Sequence, residues 1–307
     1  MKKVLNTDIS TFIKIIESNT DSKVEKIKYV GGGSFGQVFK AILADGRVIA
    51  VKAHRRKGFQ YSEAERLTVL AKNTSVKMPE VVFTYGDETS DIIGMTFIEG
   101  KNVLSPRFLL FGKNKKAAFA DAVVDGLLEL HSVKGEKYGA FDNPQYESWK
   151  EYYINEKQIP WLKGLEDLVQ NGKFSLEKLE LLRKATEIFN AVPDESECPV
   201  LIHGDLNIMN IMADPKTFEL TGFIDPGEPV WTDREYDLFQ FRNMWGDSFG
   251  LYENYKSRIK TSEHTDFRVA YYGAMNEASC RMAGGLIVPL WEDLCNIRLK
   301  KIMKKYL

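Results

Sequence analysis

Polar side chains suited to metal binding and proton transfer lie close together in one part of the sequence. Asp205 follows a short apolar run at 200–202, and Asn210 comes five residues later within HGDLNIMN. Asp225 ends a second apolar run, fifteen residues after Asn210. A carboxylate can accept the proton of an attacking hydroxyl, and amide and carboxylate oxygens can hold Mg²⁺ against nucleotide phosphates. The spacing indicates phosphoryl transfer, which needs little beyond positioning, charge neutralisation and such a base.

A glycine-rich segment, GGGSFGQV, lies between two predicted strands. Glycines let a backbone turn approach phosphates with its N–H groups directed at the anion. A dinucleotide fingerprint would open a helix and a Walker loop would contain Gly-Lys-Ser/Thr, and neither applies here. A glycine loop between two strands is typical of a phosphate-covering flap, while a hairpin turn without a ligand is the alternative. The residues that we expect at the nucleotide are Gly31, Gly33, Ser34, Gly36 and Val38.

A lysine closes the apolar strand that follows, VIAVK, with Ala50 two residues before Lys52. A buried lysine costs free energy unless it is paired. Glu63 and Glu65 both lie on the next predicted helix, so either carboxylate could pair with it. Placed after the glycine loop, Lys52 is predicted to hold nucleotide phosphates; a strand-end lysine that reaches solvent is the alternative.

The composition excludes several classes of protein. The 307 residues include 42 Lys and Arg against 43 Asp and Glu, which gives no electrostatic support for a nucleic-acid partner. Three cysteines form no CxxC pair, which argues against a zinc site or disulfide framework and suits a reducing cytoplasm. No apolar run approaches the roughly 20 residues of a membrane span. We therefore expect a cytoplasmic protein without a membrane partner, either a monomer or a small homo-oligomer.

The periodicity of apolar residues changes near residue 100. Strand patterns dominate before it, with one predicted helix at 63–72. Helical spacing dominates after it, with predicted helices that include 149–168 and 176–189. We therefore expect an N-terminal nucleotide-binding lobe over 1–98 and a C-terminal catalytic and substrate-binding lobe over 99–307.

The motifs GGGSFGQV, VIAVK, HGDLNIMN and FIDP together resemble those of the aminoglycoside phosphotransferase and fructosamine kinase superfamily, small-molecule relatives of the protein kinases. The resemblance covers about Val24 to about Trp245. It implies an α+β, bilobal protein-kinase-like fold with a β-rich N-terminal lobe and a mostly helical C-terminal lobe. It also implies ATP, with GTP as an alternative, and Mg²⁺ as cofactors.

The resemblance assigns roles residue by residue. Lys52 resembles the phosphate-binding lysine and Glu63 its ion-pair partner on a helix. Asp205 resembles the catalytic base, and Asn210 and Asp225 resemble the Mg²⁺ ligands. MTFIEG over 95–100 resembles the hinge between the lobes. The backbone groups expected to hold adenine there are those of Thr96 and Ile98.

The acceptor is expected to be a small molecule with a hydroxyl, of aminoglycoside or of fructosamine or ribulosamine type. Glu228, Asp233 and Glu235 follow the metal ligand Asp225 and would form a carboxylate-rich rim for an amine-bearing sugar. The alternative for each is an internal contact, and Asp237 in particular could brace the catalytic loop or cap a helix.

Two other functions compete with a small-molecule kinase. A protein kinase acting on a peptide would need a docking segment, but only seven residues separate Asp225 from Asp233 and none form Ala-Pro-Glu. A catalytically dead nucleotide-binding module would be indicated by loss of Lys52, Asp205, Asn210 or Asp225, and all are present.

Overall fold

A computed structural model describes residues 7–33, 36–228, 230–282 and 288–306. Ser34, one of the predicted nucleotide contacts, lies outside these ranges. The strands are β1 (Val24–Gly32), β2 (Gly36–Leu43), β3 (Val48–His54), β4 (Val81–Gly86), β5 (Asp91–Thr96), β6 (Lys101–Asn102), β7 (Tyr138–Ala140), β8 (Pro144–Tyr146), β9 (Val200–Leu201), β10 (Ile211–Ala213), β11 (Leu220–Phe223) and β12 (Val230–Thr232). The helices are α1 (Ile9–Thr20), α2 (Phe59–Ala71), α3 (Lys113–Ser132), α4 (Trp149–Tyr153), α5 (Ile159–Gln170), α6 (Leu176–Ala191), α7 (Glu235–Leu238), α8 (Leu251–Lys256), α9 (Thr265–Ser279) and α10 (Pro289–Met303).

The N-terminal lobe is built on a five-stranded antiparallel sheet in the order β1-β2-β3-β5-β4. Val38 lies opposite Lys52 in the pairing of β2 with β3. Because side chains alternate between the two faces of a sheet, Val38, Ala50 and Lys52 share one face. Helix α1 is amphipathic and packs on the sheet through Phe12, whose ring centroid lies 5.1 Å from that of Phe39.

The C-terminal lobe is mostly helical, as predicted, and carries two small sheets. One has the strand order β11-β10-β6 and the other β8-β7-β12-β9. In the first sheet β10 and β11 form an antiparallel hairpin, in which Ile211 pairs with Phe223. This hairpin brings the segment that holds Asn210 beside the segment that holds Asp225, because the Ile224 N–H donates to the Asn210 carbonyl oxygen at 2.9 Å.

One of two hydrophobic clusters in the described residues crosses the predicted boundary at residue 98. Leu67 and Leu70 of α2 are buried in the same cluster as Val123 and Leu127 of α3. The segment after α2 is also bound to the C-terminal lobe, since the Ser75 hydroxyl donates to Glu129 of α3 at 2.8 Å. The packing of α2 therefore crosses the predicted boundary.

Two predicted helices differ in their extent. Helix α2 begins at Phe59 rather than at residue 63, because Gly58 takes a left-handed conformation (φ 78°) and donates its N–H to Asp91 of β5. That contact comes from a distant strand and leaves no local signal. The predicted helix 149–168 is interrupted by a π-helical turn at Ile154–Gln158, which precedes Pro160. Proline lacks an N–H, and a wider turn accommodates the missing hydrogen bond.

Candidate active site

Lys52 lies between two carboxylates that come from different lobes. Its Nζ is 2.9 Å from Glu63 Oε2 and 2.6 Å from Asp225 Oδ1, and the residue is 6% exposed. The predicted ion pair with Glu63 is therefore present. Glu63 is also 3.0 Å from His54 Nε2, so two nitrogen groups face one buried carboxylate.

The charges of this group are mutually stabilising. Burial opposes the charged form of Lys52, but Asp225 and Glu63 outweigh it and raise the lysine pKa above its ordinary value. Burial likewise opposes ionisation of Glu63, yet Lys52 and His54 lower its pKa to about 2. Because removal of one partner would leave a buried charge, each member of the pair depends on the other.

The catalytic turn, residues 203–210, holds the Asp205 carboxylate from both sides. Asn207 Nδ2 donates to Asp205 Oδ1 at 2.8 Å, and Asn210 Nδ2 donates to Asp205 Oδ2 at 2.8 Å. Gly204 supplies the sharp bend with φ 79°. Asn207 was not singled out in the sequence. Its position two residues after Asp205 is the only local signal, since short polar side chains bind neighbouring backbone and side-chain groups in turns.

Asp237 braces the same turn, which is one of the two roles considered for it. Its side chain is fully buried, and its two oxygens accept the N–H groups of His203 and Gly204, each at 2.9 Å. His131 Nε2 lies 3.4 Å from the same carboxylate. Two backbone donors fixed by one buried carboxylate hold the turn in a single conformation.

Asp205 is electrostatically unlike Glu63. Burial, followed by the negative charge of Asp225, raises the pKa of Asp205 to about 8, against two opposing hydrogen bonds from asparagines. A proton acceptor whose pKa lies near neutral pH suits general-base chemistry. The same result places Asp205 and Asp225 within electrostatic reach of each other.

Asp225 follows β11 in a conformation that side chains rarely adopt. Its φ is 55°, in the left-handed region, and such a conformation costs about 1–3 kcal/mol. Its carboxylate is half exposed, with one oxygen on Lys52. Strain of this kind persists only where the surrounding structure enforces it, and it concentrates at functional sites.

The residues predicted to hold a metal have the donor chemistry that Mg²⁺ requires. Asn210 uses its side-chain nitrogen on Asp205, so the amide oxygen is the atom left for a cation. The half-exposed carboxylate of Asp225 offers further oxygen ligands to a divalent ion. Within the described ranges, no group of three or more His, Cys, Asp or Glu side chains could hold a metal. The protein would thus provide few ligands and leave the rest to phosphate oxygens and water, as Mg²⁺ prefers.

The predicted nucleotide contacts come from the first turn of the sheet and from the connection between the lobes. Gly36 opens β2, and a Cβ there would lie 2.5 Å from the Ala53 carbonyl oxygen, so only glycine fits. Gly33 donates its N–H to the Gly36 carbonyl at 3.1 Å and closes the turn. At the connection between the lobes, Thr96 already donates its N–H to the Glu80 carbonyl at 2.8 Å, and Ile98 is buried.

The three predicted acceptor residues do not lie together at one surface. Glu235 is buried in an ion pair with Arg268, with Nε to Oε2 at 2.6 Å. Asp233 is buried as well and accepts the Glu235 N–H at 2.8 Å, and burial raises its pKa to about 7. Only Glu228 is exposed, and it contacts Lys157 of the π-helical turn. The internal contacts of Asp233 and Glu235 correspond to the alternative considered for these residues.

Solved structures with the same fold cover nearly the whole chain. A protein from Thermobifida fusca YX-ER1, provisionally assigned as a fructosamine-3-kinase, gives a TM-score of 0.70 at 17% identity over 97% of this chain and 100% of that one. The GDP and kanamycin complex of APH(2″)-IIia gives 0.66 at 14% identity over 97% and 99%. The gentamicin complex of APH(2″)-IIa gives 0.63 at 20% identity over 98% and 96%. These similarities confirm the predicted bilobal kinase-like fold.

A curated relative is described as Uncharacterized protein YcbJ, from Escherichia coli strain K12. It is 25% identical over 183 residues, which are 58% of this chain and 60% of that protein. The chain therefore matches about three fifths of the relative's length. Among the helices that the structure describes, none has both the length and the apolar character needed to cross a membrane.

A family model agrees with the motifs and with the fold. The model of the phosphotransferase enzyme family matches residues 26–270, which include the glycine loop, Lys52, the catalytic turn and Asp225. The chain therefore belongs to the phosphotransferase enzyme family.

Proposed function

We propose that this protein transfers the terminal phosphoryl group of ATP, with Mg²⁺, to a hydroxyl of a small sugar-like molecule. The observation that carries the proposal is the convergence of four groups, Lys52 from the sheet and Asp205, Asn210 and Asp225 from the C-terminal lobe. Lys52 lies 2.6 Å from Asp225, and Asn210 donates to Asp205 at 2.8 Å. Magnesium, when bound with the nucleotide, would supply charge neutralisation at the phosphates.

Each side chain has a distinct role in this proposal. Lys52 orients the phosphates next to the glycine loop, and Glu63 keeps its ammonium in place. Asn210 and Asp225 provide oxygen ligands for the metal. Asp205, held by Asn207 and Asn210, orients the acceptor hydroxyl and takes its proton. Phosphoryl transfer is promoted mainly by such positioning and electrostatics.

The charges near Asp225 favour an acceptor with little positive charge. A polycationic acceptor would be attracted by several unpaired carboxylates. Glu235 is instead paired with Arg268, and Glu228 with Lys157. We therefore favour a neutral or singly charged sugar derivative, such as a ketosamine, over a polycationic aminoglycoside. The short connection from Asp225 to β12, which pairs with β7 and β9, also disfavours a peptide acceptor.

A coupled assay of ADP release tests the proposal. Glycated lysine, ribulosamines, simple sugars and aminoglycosides serve as acceptors, with ATP or GTP and with or without Mg²⁺. We expect magnesium-dependent turnover with at least one ketosamine or sugar. Asp205→Asn should lower kcat by at least about 10²-fold, the low end for a positioned proton acceptor. Asp214→Asn, in the turn of the β10–β11 hairpin, is the matched control and should keep its activity.

Two outcomes would contradict the proposal. Equal turnover by the Asp205→Asn protein would remove the assigned base. Absence of nucleotide binding by the wild-type protein would exclude a kinase and favour another role for the fold.

A further inference from the structure

Arg66 lies one turn after Glu63 on α2 and has no role in the function proposed above. It is 9% exposed, and its Nη1 donates to the carbonyl oxygen of Pro226 at 3.1 Å and to that of Gly227. Its Nε donates to the Ser62 carbonyl within the helix at 3.1 Å. A guanidinium thus reaches from the N-terminal lobe into the segment directly after the predicted metal ligand.

The segment that receives these bonds, Asp225 to Glu228, is here called the DPGE segment. On the side away from Arg66 it rests on the catalytic turn, where the Gly227 N–H donates to the His203 carbonyl at 2.9 Å. A Cβ at Gly227 would lie only 2.5 Å from the Gly204 carbonyl oxygen. The DPGE segment is therefore held between Arg66 and the backbone of the catalytic turn.

The contacts of Arg66 bear directly on the conformation of Asp225. A left-handed aspartate at φ 55° needs restraint from its neighbours, and the two residues after it are those whose carbonyls Arg66 binds. Asp225 lies within electrostatic range of the guanidinium and supports its charge, although burial lowers the arginine pKa. Arginine stays charged in such surroundings, and Nη1 of Arg66 carries two N–H groups, one for each of the two carbonyl acceptors.

We propose that Arg66 is a positioning residue that keeps the Asp225 carboxylate in its metal-binding orientation by holding the DPGE segment against the catalytic turn. Helix α2 then acts on the nucleotide site in two ways, through Glu63 on Lys52 and through Arg66 on the DPGE segment. This inference rests on the proposed function of Asp225. It concerns how much Mg²⁺ tightens the binding of the nucleotide. It does not concern how tightly the nucleotide binds without Mg²⁺.

A nucleotide-binding measurement separates this role from simple structural anchoring. A fluorescent ATP analogue is titrated with and without Mg²⁺. The Kd without Mg²⁺ divided by the Kd with Mg²⁺ is the magnesium benefit. In Arg66→Met we expect that ratio to fall roughly tenfold, because two charge-assisted hydrogen bonds are lost. The Kd without Mg²⁺ should stay within about threefold of wild type, since Lys52 and the glycine loop are untouched.

Two further variants complete the test. Arg183→Met removes an exposed arginine that pairs with Glu166 on the C-terminal lobe, and it should keep the wild-type ratio. Arg66→Lys should retain part of the benefit, with a loss of about threefold, because an ammonium can bind carbonyl oxygens but lysine lacks the Nε donor that holds the Arg66 side chain on Ser62.

The outcomes distinguish the two proposals. No nucleotide binding by the wild-type protein would refute the proposed function and this inference with it. A wild-type ratio in a folded Arg66→Met protein would refute only the role of Arg66. If that variant does not fold, a wild-type ratio in Arg66→Lys overturns the inference, and failure of both variants to fold overturns it in favour of a purely structural anchor.

Discussion

At the scale of single residues, the surroundings give the same side chain different chemical states. Glu63 and Asp205 are both acidic side chains of the candidate site, yet Lys52 and His54 hold the pKa of Glu63 near 2, while burial and Asp225 raise that of Asp205 to about 8. Glu63 is therefore held as an ion-pair partner, whereas Asp205 is the residue for which we propose the role of proton acceptor. Sequence motifs predicted both residues, but the sign of each shift depends on which charges the fold brings near.

Sequence motifs reveal side chains that are expected to bind ligands. They do not reveal side chains that hold distant backbone groups by hydrogen bonds. Lys52, Asp205, Asn210 and Asp225 were predicted because their types and spacing match a known chemistry. Arg66 was not, because its partners are main-chain carbonyls about 160 residues away, which any residue type would supply.

Glu277 on α9 allows the effect of burial on the pKa of a single carboxyl group to be tested. Burial, followed by the charge of Glu292, raises its pKa from 4.5 to about 7. Between these values the unfolded chain loses a proton that the folded chain keeps, so the free energy of unfolding falls as the pH rises. In Glu277→Gln this loss disappears, while Asn243, which donates to Glu277 Oε1 at 3.1 Å, keeps an acceptor.

The expected result is a growing stability difference between the two proteins. From about pH 5 to about pH 8, Glu277→Gln should gain about 2 kcal/mol relative to wild type in chemical unfolding. The exposed Glu180→Gln on α6 serves as the control. A difference that stays constant with pH, or that falls, would contradict the raised pKa.

At the scale of elements, glycines set how closely the catalytic turn and the DPGE segment approach. The glycine loop between two strands was predictable from local patterns, whereas the pairing of β3 with β5, which are separated in sequence by α2 and β4, was not. The start of α2 and the π-helical turn at Ile154–Gln158 were not, because Asp91 and Pro160 determine them through tertiary contacts and through a missing donor. Local sequence patterns therefore predict that a helix or strand is present. Contacts with other elements determine the residues at which it begins or ends.

Gly227→Ala tests this close approach. The added methyl would meet the Gly204 carbonyl oxygen at 2.5 Å, so the DPGE segment must move away from the catalytic turn. Displacement of reacting groups by about 1 Å can cost about 10²-fold in rate, and we expect that loss in the ADP-release assay. Gly112→Ala, where a Cβ meets nothing within 4 Å, is the control. Full activity in a folded Gly227→Ala protein would show that the approach is not required.

At the scale of the whole molecule, the hydrophobic cores do not follow the two lobes. One cluster joins α1 to the sheet through Phe12, Phe39 and Val51. The other contains the C-terminal lobe together with Leu67 and Leu70 of α2 and with Ile93 and Met95 of β5. Periodicity along the chain could not show that α2 shares a core with both the sheet and the C-terminal lobe, because a helix pattern shows which face is apolar and not what covers it.

This division predicts different consequences for two buried residues of the N-terminal lobe. Phe12→Ala should cost about 3–5 kcal/mol locally and speed hydrogen exchange in β1 to β3, while α3 and α6 stay protected. Leu70→Ala should cost about 2–5 kcal/mol and speed exchange in α3 as well, because Leu70 shares a core with Leu127. Native-state hydrogen exchange mapped by peptide measures both. If the effect of Leu70→Ala stayed within the first 98 residues, α2 would belong to the sheet alone, and Arg66 would reach the DPGE segment from a lobe that moves independently of it.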